Sequence, residues 1–569
     1  MHSSRFIFLI AALAALTPLP GQTTRPAPRR LAVRDYRDKM LAGWMGQAAA
    51  VTWGTPMEFQ FRGEPIPEYM VPKWDPSQIN DALDNDDVFN DSVLLYLMDK
   101  GGVHFTARDA AIERALVWTP PSQLLEGVAP PDLYARSGRG YSSGLGYQIS
   151  ADITGLVAPG MPNTTIRLGE RLTNPFGDSL YAGQFIGAMY GEAFFERSPR
   201  KLIGAGLRAI PAGSAYAGMV RDVLRWHDEN PADWLRTWKR IQDKYRPRLP
   251  ANSADPAPMV FDARLNGAYV LTGLLYGDGD LEKSVIIAMR GGDDADCNAA
   301  NAGGLIATTI GYSRLPDSFR LKLDGSKLLN YLDRRERGVF TFPQVLEKTE
   351  SVARQLLAAA GGSVSKDAAG EEWFAIPAED PVPSALYHEN DPLPHVGSRL
   401  TAAELARVRG VGPEAAKALE RLAPGWQVGG EGCELGFRPE IYGRRDVLVT
   451  YPGAVGGECM LSRRMKVPGT GWSTVLDISS THAEQGAFSL AVRVDGREIF
   501  VQHNRWSPWM RVKVDLTAFA GREVLLEVLD RPYAEFPHSW AYWSSISVAS
   551  SSPAKSRPVG FWFNVRGVD

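Results

Sequence analysis

The stretch Arg290-Gly291-Gly292-Asp293-Asp294-Ala295-Asp296-Cys297-Asn298-Ala299-Ala300 decides how this chain is read. It puts three carboxylates, Asp293, Asp294 and Asp296, at the mouth of a helix that continues Asn301-Ala302-Gly303-Gly304-Leu305-Ile306-Ala307. Small and apolar residues make up that helix, so the pattern predicts its burial. Acids at a buried entrance are costly unless a cation faces them. A second acidic entrance, Asp84-Asn85-Asp86-Asp87, lies far upstream and opens the run Val88-Phe89-Asn90-Asp91-Ser92-Val93-Leu94-Leu95-Tyr96-Leu97. Folding can bring the two entrances face to face. Hard divalent cations prefer carboxylate oxygens. Adjacent Asp86 and Asp87, and the i, i+2 pair Asp294 and Asp296, can each aim two oxygens at one point. Asp and Asn also favour such positions simply as caps. Two motifs, each with more acids than capping uses, point to a metal site.

Outward from these motifs, residues from Asp35 to Ala360 carry apolar side chains at helical spacing, with few stretches of period two. Segments such as Tyr36–Val51, Leu180–Phe195, Ala263–Tyr276, Asp317–Leu332 and Gln344–Ala359 read as helices, and residues 31–360 as one all-α domain. Residues 361–430 read as a Pro/Gly/Ser-rich linker ending in a short helical hairpin, Ala402–Val408 and Glu414–Leu422. The period then changes. Phe488, Leu490, Val492 and Val494 alternate with polar or small residues, the turn Asp495-Gly496 follows, and Met510, Val512 and Val514 alternate again. That pattern predicts an all-β sandwich or jelly roll over residues 431–550.

Length and composition agree with several folded domains. The chain has 569 residues, 44% of them hydrophobic and 10% aromatic, too long for one core and too apolar for disorder. A net charge of -3 gives no sign of a nucleic-acid or polybasic membrane surface. Arg5, the apolar run Phe6–Leu16 and the breakers Pro18, Pro20 and Gly21 read as a signal peptide over residues 1–22, and hence as periplasmic or extracellular export. The run is too short to span a bilayer. Of the three cysteines, Cys433 and Cys459 are placed to pair within the C-terminal domain, and Cys297 is expected to stay free.

These motifs resemble the ADP-ribosylglycohydrolase family of the dinitrogenase-reductase-activating type. The Gly-rich N-terminal signature reads Gly43-Trp44-Met45-Gly46 and then Gly54-Thr55-Pro56-Met57-Glu58. The family's Thr-Asp-Asp reads Asn85-Asp86-Asp87, and its late Gly-x-Asp-Thr-Asp-Thr reads Gly292-Asp293-Asp294-Ala295-Asp296-Cys297. The resemblance implies an all-α fold binding two Mg2+, with Mn2+ as the alternative. It also implies hydrolysis of an N- or O-glycosidic bond at a ribose-like sugar. The metal ligands would come from Asn85, Asp86, Asp87, Asp293, Asp294 and Asp296, either Asp293 or Asp294 serving as the first aspartate of the late motif. Glu58 and Asp87 would be the catalytic carboxylates. Asn85 and Cys297 stand where the family has threonines, and a thiol is a poor magnesium ligand. The Gly-Asn-Gly-x-x-x-Arg contact has no clean counterpart. Asp152, Gly177, Asp178 and Tyr181 are the substrate-binding candidates in that region, which resembles a divergent, often exported branch.

The sandwich resembles carbohydrate-binding jelly rolls, in which Trp506, Trp509, Trp540, Tyr542 and Trp543 would either stack on sugars or fill the core. The expected partner is a small-molecule or glycan substrate. Two other readings remain open at this stage. One is a catalytically weakened family member that binds a sugar or nucleotide. The other is DNA binding through the hairpin around Gly410-Val411-Gly412-Pro413, although one hairpin without a basic domain offers little phosphate affinity.

Overall fold

The computed structural model describes residues 27–117, 122–133, 144–172, 176–246, 261–320, 341–387, 396–452, 457–482, 487–504, 509–533 and 540–552. The segment read as a signal peptide, Trp506, and all but the first residues of the helix expected over Asp317–Leu332 lie outside them. Within Asp317–Leu332 the described part holds only a single 3-10 turn, Asp317–Phe319.

The helical region starts with α1 (Val33–Gly54), α2 (Asp86–Gly101), α3 (Ala107–Val117) and α4 (Ser122–Leu125). It continues through α5 (Asp152–Leu156), α6 (Pro162–Leu172), α7 (Gly177–Ala193), α8 (Pro199–Arg208), α9 (Ala215–Glu229) and α10 (Trp234–Tyr245). It ends with α11 (Ala263–Gly277), α12 (Leu281–Met289), α13 (Ala295–Ile310) and α14 (Phe342–Ala359). One continuous hydrophobic core runs through it, from Leu31 to Ile376. At its centre α1 lies along α13. The approach is close because both helices present glycine: a Cβ added to Gly46 would fall 2.7 Å from the Gly303 carbonyl oxygen, and one added to Gly303 would fall 2.6 Å from Ala50 Cβ. The buried, small-residue character expected of α13 is thus a packing requirement, since nearly every residue from Ala295 to Thr309 is inaccessible.

The stretch read as a linker is partly structural. β2 (Ser363–Lys366) and β3 (Glu372–Ile376) form a three-stranded antiparallel sheet with β1 (Arg29–Ala32) at the start of the helical region, in the order β1-β3-β2. Residues 382–387 then return to α7, where the Tyr181 hydroxyl donates to the Ala385 carbonyl at 2.6 Å and accepts from the Tyr387 N–H at 2.9 Å. The hairpin follows as α15 (Ala402–Arg409) and α16 (Pro413–Leu422).

The C-terminal region is an antiparallel sandwich, as its alternation predicts. Its strands are β4 (Gln427–Gly429), β5 (Glu434–Ile441), β6 (Arg444–Tyr451), β7 (Cys459–Lys466), β8 (Ser473–His482), β9 (Phe488–Val494), β10 (Arg497–Asn504), β11 (Met510–Asp515), β12 (Glu523–Pro532) and β13 (Ala541–Ser551). One sheet runs β10-β9-β12-β7-β4 and the other β11-β8-β13-β6-β5. Leu490, Val492, Leu526, Val528 and Trp543 fill the space between them. The outer face of the second sheet is covered. Val447, Val449, Tyr451, Trp540 and Tyr542 share one cluster with Ile112, Leu125 and Val128 from α3, α4 and the turn after α4. This settles most of the aromatic candidates: Trp540, Tyr542 and Trp543 are buried at 4%, 0% and 0% exposure and cannot meet a sugar. Trp509 donates its indole N–H to the Tyr442 carbonyl and packs at the edge of that interface.

Cys433 and Cys459 form a disulfide across a 26-residue separation and join the segment after β4 to the start of β7. Closing a loop of this size restricts the unfolded chain, an effect of about 3 kcal/mol. We predict that Cys433→Ser/Cys459→Ser lowers sandwich stability by about that amount, read by chemical denaturation of the full chain, without altering binding at the acidic cluster.

Candidate metal and active site

Both acidic entrances meet. Asn85 caps α2, its side-chain oxygen accepting the Asp87 N–H at 2.9 Å, and its amide crosses to Asp296 Oδ2 at 3.1 Å. The Cys297 thiol donates to Asp87 Oδ1 at 3.1 Å from the first turn of α13. The Asp294, Asp296 and Cys297 ligand-type atoms all lie within 4.8 Å of one another. Asp87, Asp294 and Asp296 are exposed by only 0%, 3% and 1%, whereas Asp86 sits at the solvent-facing mouth. Burial first, and then mutual charge, pushes the Asp87 and Asp294 carboxyls well above the usual range. Burial raises that of Asp296 as well.

One buried oxygen on each of the three acids, Asp87 Oδ2, Asp294 Oδ1 and Asp296 Oδ1, has no hydrogen-bond partner in the protein. Native interiors rarely leave such groups unsatisfied. Three buried carboxylates with unpartnered oxygens, gathered from two helix entrances, are donors of the kind a hard cation takes, and the residues therefore fit the metal that the motifs imply. The thiol does not extend that set. Burial and the neighbouring acids push its pKa up, so it remains a protonated donor to Asp87.

Glu58 reaches the cluster through a loop stitched to the α13 entrance. The Phe59 N–H donates to the Asp293 carbonyl at 2.9 Å, the Asp293 N–H to the Phe61 carbonyl at 2.7 Å, and the Ile66 N–H to the Arg290 carbonyl at 2.9 Å. Phe59 and Asp293 both hold left-handed backbone angles, φ 55° and 54°, strain of the kind found at functional loops. Gly292, φ 83°, tolerates no side chain, because a Cβ would lie 2.7 Å from the Phe61 carbonyl oxygen. Partial burial, aided by the charges of Asp296 and Asp86, raises the Glu58 pKa to about 7. Beside it Phe59 meets Phe261 edge-on at 5.3 Å, and Phe261 remains 42% exposed at the rim.

Several sequence candidates are placed elsewhere. Asp293 turns away from the cluster: Arg246 Nη2 binds its Oδ1 and Oδ2 at 2.8 and 2.6 Å, and the Tyr269 hydroxyl donates to Oδ2 at 2.9 Å. Of the two alternatives for the first aspartate of the late motif, Asp294 is the one whose carboxylate lies beside Asp296 and Cys297. Asn85 spends its carbonyl oxygen on the α2 cap and so organises the acids instead of offering them a free ligand. Asp152 is wholly buried and bonded to Tyr190 and Asn301. Asp178 accepts the Tyr216 N–H at 3.0 Å and lies 3.7 Å from Arg264. Gly177, with φ 68°, starts α7, and Tyr181 anchors the 385–387 segment. The hairpin cations pair with acids, Arg407 with Glu113, Arg409 with Glu434 and Lys417 with Glu414.

Fold and site together define a helical protein that gathers buried acids between two helix entrances and carries a β-sandwich behind them. The chain belongs to the ADP-ribosylglycohydrolase family, whose profile matches residues 32–366. Among solved structures it is similar to an ADP-ribosylglycohydrolase-related protein complex, at 16% identity over 57% of this chain and 98% of that one, TM-score 0.31. It is also similar to the module TmCBM61 solved with β-1,4-galactotriose, at 12% identity over 25% and 99% of the two chains, TM-score 0.19. A third is a xylan-binding domain from Paenibacillus barcinonensis, at 13% identity over 22% and 86%, TM-score 0.19. No curated protein matches the chain significantly.

Proposed function

We propose that this chain is an exported, divalent-metal-dependent glycoside hydrolase that cleaves an N- or O-glycosidic bond at a ribose-like sugar of a small molecule or glycoconjugate. The observation that carries the reading is the meeting of the two acidic helix entrances through Cys297 and Asn85, with an unpartnered oxygen on each of Asp87, Asp294 and Asp296. Asp86, Asp87, Asp294 and Asp296 would hold Mg2+ or Mn2+. Bound there, the cation supplies positive charge that polarises sugar oxygens. Glu58 retains a proton near neutrality and is placed to hand it to, or take it from, an oxygen above the cluster, the role of a general acid/base as the ring becomes oxocarbenium-like. Phe59 and Phe261 offer an apolar rim to the sugar face. The disulfide supports export, since such bonds persist in oxidising compartments, and the signal-like N-terminus agrees with it. No helix among the described residues is long and apolar enough to cross a membrane.

A panel of ADP-ribosyl and aryl-furanoside substrates, with Mn2+ or with chelator, tests the reading. Turnover that chelator leaves intact would remove the metal. Turnover of none, with metal bound, would favour a sugar- or nucleotide-binding protein. For Glu58→Gln we expect kcat to fall by about 10²–10⁴ while Mn2+ affinity stays near that of the native chain. Unchanged kcat would take Glu58 out of the chemistry.

A further inference from the structure

One helical turn below the cluster lies a second pair of buried acids that the proposed chemistry does not use. Asp91 follows Asp87 by four residues on α2, and Asn301 follows Cys297 by four on α13, so both positions fall about 6 Å deeper along their helices. Asp91 and Asp152 are each 0% exposed. The Gln47 amide on α1 donates to Asp91 Oδ2 at 2.5 Å, and the Ile153 N–H at the start of α5 faces Asp91. Asp152, at the start of α5, accepts the Asn301 amide at 2.8 Å and the Tyr190 hydroxyl of α7 at 2.8 Å. Through these two carboxyls α5 bridges α2 to α13, with α1 and α7 as braces. Cys297 and Asp87 span the same two helices one turn above.

We propose that Asp91 and Asp152 are positioning residues: this buried acid pair fixes the spacing of α2 against α13 and thereby the separation of the carboxylates at the two helix entrances. An apolar pair would pack as well without specifying register, whereas the directional bonds from Gln47, Asn301 and Tyr190 to the two carboxyls favour one arrangement. Both carboxyls are held above the usual range by burial, that of Asp152 at about 7, so an isosteric amide reproduces the protonated form and alanine does not.

The metal arm of the test rests on the function proposed above, but a second arm does not. Cys297 is the one cysteine outside the disulfide, and its thiol bridges α2 and α13, so its modification rate by methyl methanethiosulfonate reports their spacing directly. In the full chain we expect Asp91→Ala and Asn301→Leu to raise that rate and to weaken Mn2+ binding, measured by electron paramagnetic resonance, each by about 10-fold or more. Asp91→Asn should stay within about 3-fold of the native chain on both, as expected when the outer contacts are retained. Near-UV circular dichroism identifies the folded variants. Should Asp91→Ala fail to fold, Asn301→Leu decides, because it removes the link to α13 while filling the space. A native thiol rate in folded Asn301→Leu overturns the proposal. A native chain that takes up no Mn2+ sinks the metal reading instead, and the thiol rates still judge the pair.

Discussion

Asp296→Asn is expected to abolish the proposed hydrolysis and Mn2+ binding and, in the presence of chelator, to melt no lower than the native chain. The two halves have one cause. Asp87, Asp294 and Asp296 are buried together with carboxyls pushed upward, so without a cation each added charge opposes folding. Asparagine removes one charge and keeps the shape, and its side-chain oxygen can still accept from Asn85. With metal the order reverses. A ligand that binds only the folded state stabilises it by about 2.7 kcal/mol at a hundredfold excess over Kd, and the variant forfeits that gain. The melting curves of the two proteins should therefore change order when Mn2+ replaces chelator. Loss of several kcal/mol of charge stabilisation in the transition state corresponds to a fall in kcat/KM of about 10³ or more. A variant that still binds Mn2+ with native affinity would take Asp296 out of the site.

Much of that site can be read from the residues alone. Asp86, Asp87, Asp294 and Asp296 stand out because helix entrances seldom need so many acids, and the fold brings them together. Asp293 and Asn85 are harder, for a physical reason. Their neighbours in sequence are true members of the cluster, and only backbone geometry separates them from it. A positive φ turns Asp293 towards Arg246 and Tyr269, and a cap bond holds Asn85 to its own helix. The Asp91–Asp152 pair is not legible in the sequence, because each partner lies on a different segment. One sign was present, a carboxylate inside the apolar run Val88–Leu97 with no cation beside it in sequence.

The fold shows the same division. Period-two alternation marks the sandwich, and helical spacing marks α7, α11 and α14, because each pattern is local. The strand Glu372–Ile376 hides in a stretch rich in small and acidic residues, since the strand that completes it, Arg29–Ala32, comes from the other end of the domain. The sandwich aromatics resist assignment for a related reason: alternation shows that Tyr542 and Trp543 point to opposite faces, but not that α3 and α4 cover the outer one.

Gly46→Leu is expected to prevent the chain from accumulating in folded form, and Gly46→Ala, the smallest possible change, to destabilise it. A Cβ at position 46 would lie 2.4 Å from Ala307 Cβ and 2.7 Å from the Gly303 carbonyl oxygen. Neither is the end of a flexible side chain, so α1 and α13 must separate. Overpacking of this kind costs about 1–3 kcal/mol for small additions and more for large ones. The damage should reach the metal site, because a Cβ at Gly54, on the same helix, would already sit 2.5 Å from Asp296 Cα. Displacing α1 therefore alters the surroundings of Asp296 itself. Gly204→Ala provides the opposite sign with identical chemistry. Gly204 lies within α8, and its nearest neighbour is Arg208 Nη1 at 3.9 Å, so alanine there should raise stability by about 0.5–1 kcal/mol through helix propensity alone. Thermal melts of the two alanine variants, each paired with Mn2+ titration, separate close packing from a general intolerance of lost glycine. If Gly46→Ala melts with or above the native chain, the tight α1–α13 contact is not what holds the acids in place.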